Sequence, residues 1–225
     1  MRTRSRLAAV AGFLSLSIAA TVATGAPGSR APDGPTAVLA DTGEVRYVLA
    51  AEGSEARYRV REQLARIDFP SDAVGATTVV QGAIALGSDG AILTDHSRFV
   101  VDLASIESDS QRRDNYVRRR VFQSDSFPDA VFVPTGIEGV ALPLPAGEVT
   151  FRITGDMTIH GISRPTTWDV TASRSGDAVV GKATTRFRFA DFQLAVPRVA
   201  SVLSVEDDIR LEFDFRLVPE QPVRQ

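Results

Sequence analysis

Residues 149–170 read VTFRITGDMTIHGISRPTTWDV, and their alternation decides the fold. Val149, Phe151, Ile153, Met157 and Ile159 interleave with Thr150, Arg152, Thr154, Asp156 and Thr158. Successive side chains of a strand point to opposite faces of a sheet, so this period of two marks a strand with one dry and one wet side. Gly155 holds the phase without filling space. His160-Gly161-Ile162-Ser163-Arg164-Pro165 reads as a turn, after which Trp168, Val170 and Ala172 resume on one side. Two long strands, tightly joined and apolar on one face, need a partner surface. That surface is either a packed core or a bound apolar molecule.

The same alternation recurs on both sides of this hairpin. Upstream stand Val45-Tyr47-Leu49, then Tyr58-Val60 with Arg57, Arg59 and Arg61 opposite, then Val80, Ile84 and Leu86, then Phe99-Val101-Leu103. Phe132 marks a shorter run before a Pro-rich loop at 142–146. Downstream come 179–189 and the terminal strand Ile209-Leu211-Phe213-Phe215-Leu217, set against Arg210-Glu212-Asp214-Arg216. Clean alternation is the mark of antiparallel sheets with one solvated face. The expectation is an all-β protein of eight or nine strands. One segment, 110–122, reads as a helix: a Ser or Asp at its start caps it, and Val117 and Val121 share a face beside Tyr116. A single helix among many strands suggests an antiparallel barrel with a plug or lid, and closure removes exposed sheet edges.

The ends of the chain carry other signals. Arg2, Arg4 and Arg6 precede an uncharged run from Leu7 to Ala23, followed by small residues suited to cleavage. Residues 1–25 are therefore expected to be an export signal that is cleaved. A retained anchor wants about 20 strongly apolar residues, more than this Ala- and Ser-rich run provides. Residues 26–44 read as a flexible leader rich in Pro, Gly and Ala, residues 45–218 as one barrel domain, and residues 219–225 as a polar tail. The location expected is exported: periplasmic, cell-surface or secreted. Losing 1–25 removes three arginines and no acid, so the net charge moves from −3 to −6, 22 basic against 28 acidic residues. A mildly acidic surface argues against nucleic acid and against electrostatic docking on anionic lipid. With no cysteine the domain stands on its core alone.

At GDMTIHGISRPTTWDVTA, residues 155–172, the chain resembles the YceI-like family, lipocalin-like exported barrels named for polyisoprenoid binding. The supporting pieces follow in order: Ser105-Ile106, Arg113-Asp114 in the helix, Phe122, Phe127-Pro128, Phe132, and ATTRFRFADFQL at 183–194 with Phe189, Asp191 and Phe192. The resemblance covers about 45–217. It implies an elongated barrel whose interior accepts a long apolar chain, without catalytic machinery. The segment REQLARIDFPSDAVGATTVVQG, residues 61–82, departs from the family pattern. It is longer than the usual short turn and carries Arg66, Asp68 and Pro70, which alters one barrel mouth.

On this reading Tyr58, Phe99, Tyr116, Phe122, Phe151, Met157, Trp168, Phe187 and Phe213 are the candidates to line the cavity. Arg113 and Arg120 are the candidates to hold a polar headgroup such as a pyrophosphate, because guanidinium groups grip phosphate in two-pronged fashion. The other reading of the helix arginines is a solvated face with an internal Arg113–Asp114 pair. His160, at the hairpin turn, is expected to make a backbone hydrogen bond. No cofactor, metal site or catalytic set is expected, and no inward slot of the clear strands carries an acid. Burying roughly 500 Å² of apolar chain contributes on the order of 12 kcal/mol before the cost of association. The expected partner is thus a long apolar small molecule such as an isoprenoid or a quinone; a homodimer stays open. Two rival readings remain: a packed barrel serving as an interaction or stress module, and an enzyme acting on a bound apolar substrate.

Overall fold

The computed structural model describes residues 43–65 and 68–220. The expected export signal, the leader up to residue 42 and the tail beyond residue 220 lie outside the described residues. Among the described residues eleven antiparallel strand segments follow in order. The first six are β1 (Val45–Leu49), β2 (Glu55–Leu64), β3 (Ser71–Thr77), β4 (Val80–Leu86), β5 (Arg98–Asp102) and β6 (Glu107–Ser108). After the helix α1 (Gln111–Tyr116) come β7 (Asp129–Glu138), β8 (Glu148–Ile159), β9 (Ile162–Ser175), β10 (Ala178–Phe187) and β11 (Val202–Pro219).

These segments make eight staves. The ring runs β1–β4–β5–β7–β8–β9–β10–β11 and closes where β11 returns to β1 through Leu49 opposite Leu217. β2, β3 and β6 prolong β1, β4 and β5, so three staves are broken in the middle, at 50–54, 78–79 and 103–106. The 18-residue β11 spans both halves, pairing with β1 at its end and with β2 over Val202–Asp214. Closure leaves no free edge around the ring, which suits a chain without disulfides.

The quoted hairpin is β8–β9, in register from Glu148 opposite Ser173 to Ile159 opposite Ile162. His160 and Gly161 turn it with φ of 53° and 73°, the paired positive values of the tight turn that matches strand twist. The His160 ring lies edge-on to Phe127, centroids 4.5 Å apart. Its Nε2 is buried with no hydrogen-bond partner, so the ring is held by packing instead of the backbone bond expected from its place in the turn.

Two strand segments escaped the sequence pattern, the two-residue β6 and the longer β3. β3 lies inside the segment that departs from the family pattern, and its inward residues Ala73, Gly75 and Thr77 are too small to read as a hydrophobic stripe. They are small because Tyr58 of β2 lies across them: a Cβ on Gly75 would stand 2.3 Å from the Tyr58 ring.

The barrel is splayed at the other end of these staves. β6 pairs only with β3, and β7 pairs with β5 and β8, so β6 and β7 do not meet. The chain between them forms α1 and then a wider π turn over Val117–Phe122, where the sequence pattern predicts a single helix. Ser110 caps α1 by accepting a hydrogen bond from the Arg113 amide. The wider turn sets the adjacent Val121 and Phe122 both into the interior. Arg118 ties the turn to the neighbouring stave by donating twice to the Ile106 carbonyl, at 2.7 and 3.0 Å.

Two apolar clusters fill the two halves. Phe151, Val170, Ala172, Ala183 and Phe215 pack one end, with Val140 and Leu144 of the β7–β8 connection against them. Tyr58, Val60, Leu103, Ile106, Phe122, Met157 and Ile159 belong to the other, beside the helix. Trp168 packs against both.

Candidate ligand-binding cavity

The interior between these clusters is hollow. A cavity of about 440 Å³ runs along the barrel from Trp168 and Phe213 toward α1 and the segment 197–202. Such a volume lies within the range of small-molecule sites, about 300–1,000 Å³.

Strand parity decides what faces it. Phe213, Leu211 and Ile209 of β11 stand opposite Ala56, Tyr58 and Val60 of β2, and all six line the cavity. Across the barrel Met157 of β8 and Trp168 of β9 face it, with Phe132 of β7 edge-on to Trp168 at 5.9 Å. Phe99 meets Phe213 edge-on at 6.3 Å, and Tyr58 meets Phe122 in the same way at 6.3 Å. Phe187 leans on Phe192 at 4.8 Å. Edge-to-face pairs hold the rings in fixed orientations, which keeps the lumen open instead of letting it collapse.

The wall thus includes Tyr58, Phe99, Tyr116, Phe122, Met157, Trp168, Phe187 and Phe213 of the residues singled out in the sequence. Phe151 lies off it, packed in the cluster at the far end. The Tyr116 hydroxyl accepts a hydrogen bond from the Arg198 amide, which ties the 197–202 segment to the helix. Arg113 reaches the cavity, whereas Arg120 is exposed and away from it, because the π turn carries it to the solvent side.

The polar end of the cavity differs from expectation. β2 presents Tyr58, Val60, Glu62 and Leu64 to the interior in unbroken alternation, so an inward slot does carry an acid. Glu62 is buried, and Arg113 Nη2 donates to its Oε1 at 3.0 Å. Parity alone identifies Glu62; the charged run RVREQ around it hides the stripe. Arg113 also pairs with Asp109 and donates to Ser108 Oγ at 3.4 Å. It does not pair with Asp114. That carboxylate is buried on the other side, accepting from Ser108 Oγ at 2.6 Å and from the Ser108 amide at 2.9 Å.

Electrostatics follow from this packing. Burial works against the charge on Arg113, but Asp109 and Glu62 outweigh it and hold its pKa above the ordinary guanidinium value. Burial pushes the Tyr58 phenol up to about 12, with the positive charge of Arg113 opposing the rise. The phenol therefore keeps its proton even well above neutral pH, and it lines the cavity as a hydrogen-bond donor.

The outer face of the same staves carries the complementary charges. Arg59 meets Glu212 at 3.4 Å and Asp72 at 3.3 Å, Arg210 meets Glu212 at 3.1 Å, and Arg57 meets Asp214 at 2.5 Å.

A barrel of this topology, with one helix over a splayed mouth and an apolar lumen, can be compared with known proteins. The family model for the YceI-like domain matches residues 47–217. The chain belongs to the YceI-like family. Among curated YceI-like relatives, the UPF0312 proteins of Pseudomonas putida are 31% identical over 125 residues, 52% of this chain and 62% of theirs. That of Pseudomonas fluorescens is 32% identical over the same length. The chain thus spans about 62% of the length of the curated relatives it matches. Among solved structures, a polyisoprenoid binding domain from Saccharophagus degradans superposes with a TM-score of 0.60 at 14% identity, covering 77% of this chain and 98% of that one. BcnA of Burkholderia cenocepacia gives 0.55 at 18%, covering 75% and 98%. These two likenesses show a shared YceI-like fold.

Proposed function

We propose that this YceI-like protein is an exported container that sequesters or carries a long apolar molecule of isoprenoid type, a polyprenyl compound or a quinone. The observation that carries the reading is the hollow of about 440 Å³, walled mostly by inward aromatic and aliphatic side chains, with Glu62 and Arg113 at the α1 end. The tail lies among Met157, Trp168, Phe213 and their neighbours, and the head sits by Tyr58, Glu62 and Arg113. The name of the Saccharophagus degradans domain, a polyisoprenoid binding domain, supports the same ligand class. A packed interaction module would have its interior filled by side chains, and the hollow weighs against it. A catalytic role would draw on the inward acid Glu62, and that group is engaged by Arg113. Export rests on the arginine-led apolar run at the start of the chain.

Native-condition mass spectrometry of the protein recovered from its producing cells tests the reading. An apolar adduct of isoprenoid mass, or uptake of added quinone or polyprenol at one molecule per chain, is expected. A barrel that leaves the cell empty and refuses both would end the proposal. Fractionation of the same cells checks export: the protein is expected outside the cytoplasm with its first residues removed.

A further inference from the structure

The wall of the cavity is mostly apolar, and at the helix end its charges are already matched. Glu62 is the buried carboxylate at the helix end of the lumen, and Arg113 is bound to it and to Asp109 together, whereas Glu212, which also borders the cavity, is held by Arg59 and Arg210. Asp114, also buried, adds a second negative group behind them, held by Ser108. A guanidinium shared between two carboxylates has little attraction left for a third anion, and a phosphate placed beside it would also face Glu62 in a poorly solvated site. Arg112 lines the same mouth, but it is exposed, and water screens its charge. The Tyr58 hydroxyl, by contrast, keeps its proton and makes no hydrogen bond with the described residues. Tyr58 lines the same cavity, and its hydroxyl is an uncharged donor suited to a carbonyl or hydroxyl oxygen.

From this arrangement we infer that Glu62 sets the charge of the head that the cavity accepts. The mouth takes a neutral, oxygen-bearing head, such as an alcohol or a quinone carbonyl, and rejects a phosphate or pyrophosphate on the same tail. The inference rests on the container reading and narrows its ligand class. Glu62 is the specificity-determining residue, Tyr58 the donor to the head, and Arg113 the group that positions Glu62. A phosphate head would have to displace the carboxylate from Arg113 or pay for sitting beside it.

Geranylgeraniol and geranylgeranyl phosphate, which share one tail, make the test. Both are titrated into the exported protein below their aggregation concentrations. Binding is followed by the fluorescence of Trp168, the chain's single tryptophan and part of the cavity wall, and stoichiometry by native mass spectrometry. The alcohol is expected to bind at least about tenfold more tightly than the phosphate, the size of penalty that like charges in contact impose. Glu62→Gln is expected to shrink that ratio to about threefold or less by strengthening the phosphate. The comparison in the unaltered protein decides the matter even if Glu62→Gln folds poorly. Phosphate binding as tight as alcohol binding would overturn the inference and leave the container standing. So would a ratio that Glu62→Gln does not move, or strong phosphate binding abolished by Arg112→Gln. Refusal of both ligands would bring down the container and the inference together.

Discussion

Arg113, carried on α1, places its Nη2 3.0 Å from Oε1 of Glu62 on the inward face of β2. The contact spans the splayed end of the barrel, so it joins helix to stave where the backbone ladder between β6 and β7 is missing. It also neutralises the acid that faces the cavity. Removing one partner of a buried pair costs more than the pair contributes, because the other charge is left stranded.

Arg113→Met should therefore destabilise the fold by about 2 kcal/mol, toward the low end for buried pairs because Asp109 and part of the guanidinium are open to water. Glu62→Gln combined with Arg113→Met should be less destabilised than Arg113→Met alone, since no unpaired carboxylate remains. Urea unfolding of the two variants and the unaltered protein measures both quantities. Equal stability of Arg113→Met and the unaltered protein would show that the pair is no strut.

Gly75 owes its identity to Tyr58. A Cβ there would lie 2.3 Å from the ring edge and 2.9 Å from Ile106, far inside contact distance. Gly75→Val is expected to cost about 3 kcal/mol through overpacking. Adding Tyr58→Ala to Gly75→Val should cost less than the sum of the two changes, because the removed ring vacates the space. Thermal unfolding of the set tests the coupling; strictly additive losses would refute it.

Ala183 of β10 is buried on the cavity wall next to Phe213. Ala183→Leu fills part of the hollow with an apolar side chain. Ligand affinity should fall about tenfold while stability stays within about 1 kcal/mol, because filling a dry void offsets any strain. Isothermal titration with a quinone, alongside denaturant unfolding, separates the two effects. Undiminished affinity would place the ligand elsewhere.

Tyr58 gives the fold an alkaline signature. Its phenol titrates near 12 in the folded barrel and near the ordinary 10 when the chain unfolds, the folded state binding the proton more tightly. The stabilisation is fully present below about pH 10 and is lost as pH rises from about 10 to about 12, amounting to about 3 kcal/mol at most. Tyr58→Phe should flatten the fall in stability over that window relative to the unaltered protein. Parallel slopes for the two proteins between pH 9 and 11, measured by chemical denaturation, would contradict the burial of this hydroxyl.

The alternation of residues 149–170 and 209–217 was sufficient to show antiparallel staves, because a strand with one dry face writes its period directly into the order of residues. It also placed part of the apolar wall: Met157, Trp168 and Phe213 face inward because their parity allows nothing else. β3 stayed hidden because its inward residues shrink to fit Tyr58, so its hydrophobic signal lies on a different strand. Phe151 shares the parity of Met157 yet packs at the closed end, since periodicity tells the face of a residue and not its height along the barrel axis.

Composition and pattern by themselves determined a cysteine-free antiparallel all-β chain with strands apolar on one face and one helical segment, which pointed to a barrel, for these depend on local alternation and chain length. Only the tertiary structure decided that the barrel is hollow and that its mouth is splayed where β6 stops. It alone brought Arg113, 51 residues further along the chain, onto Glu62. Void volume and ion pairing are properties of distances between remote segments, and no local rule of spacing contains them.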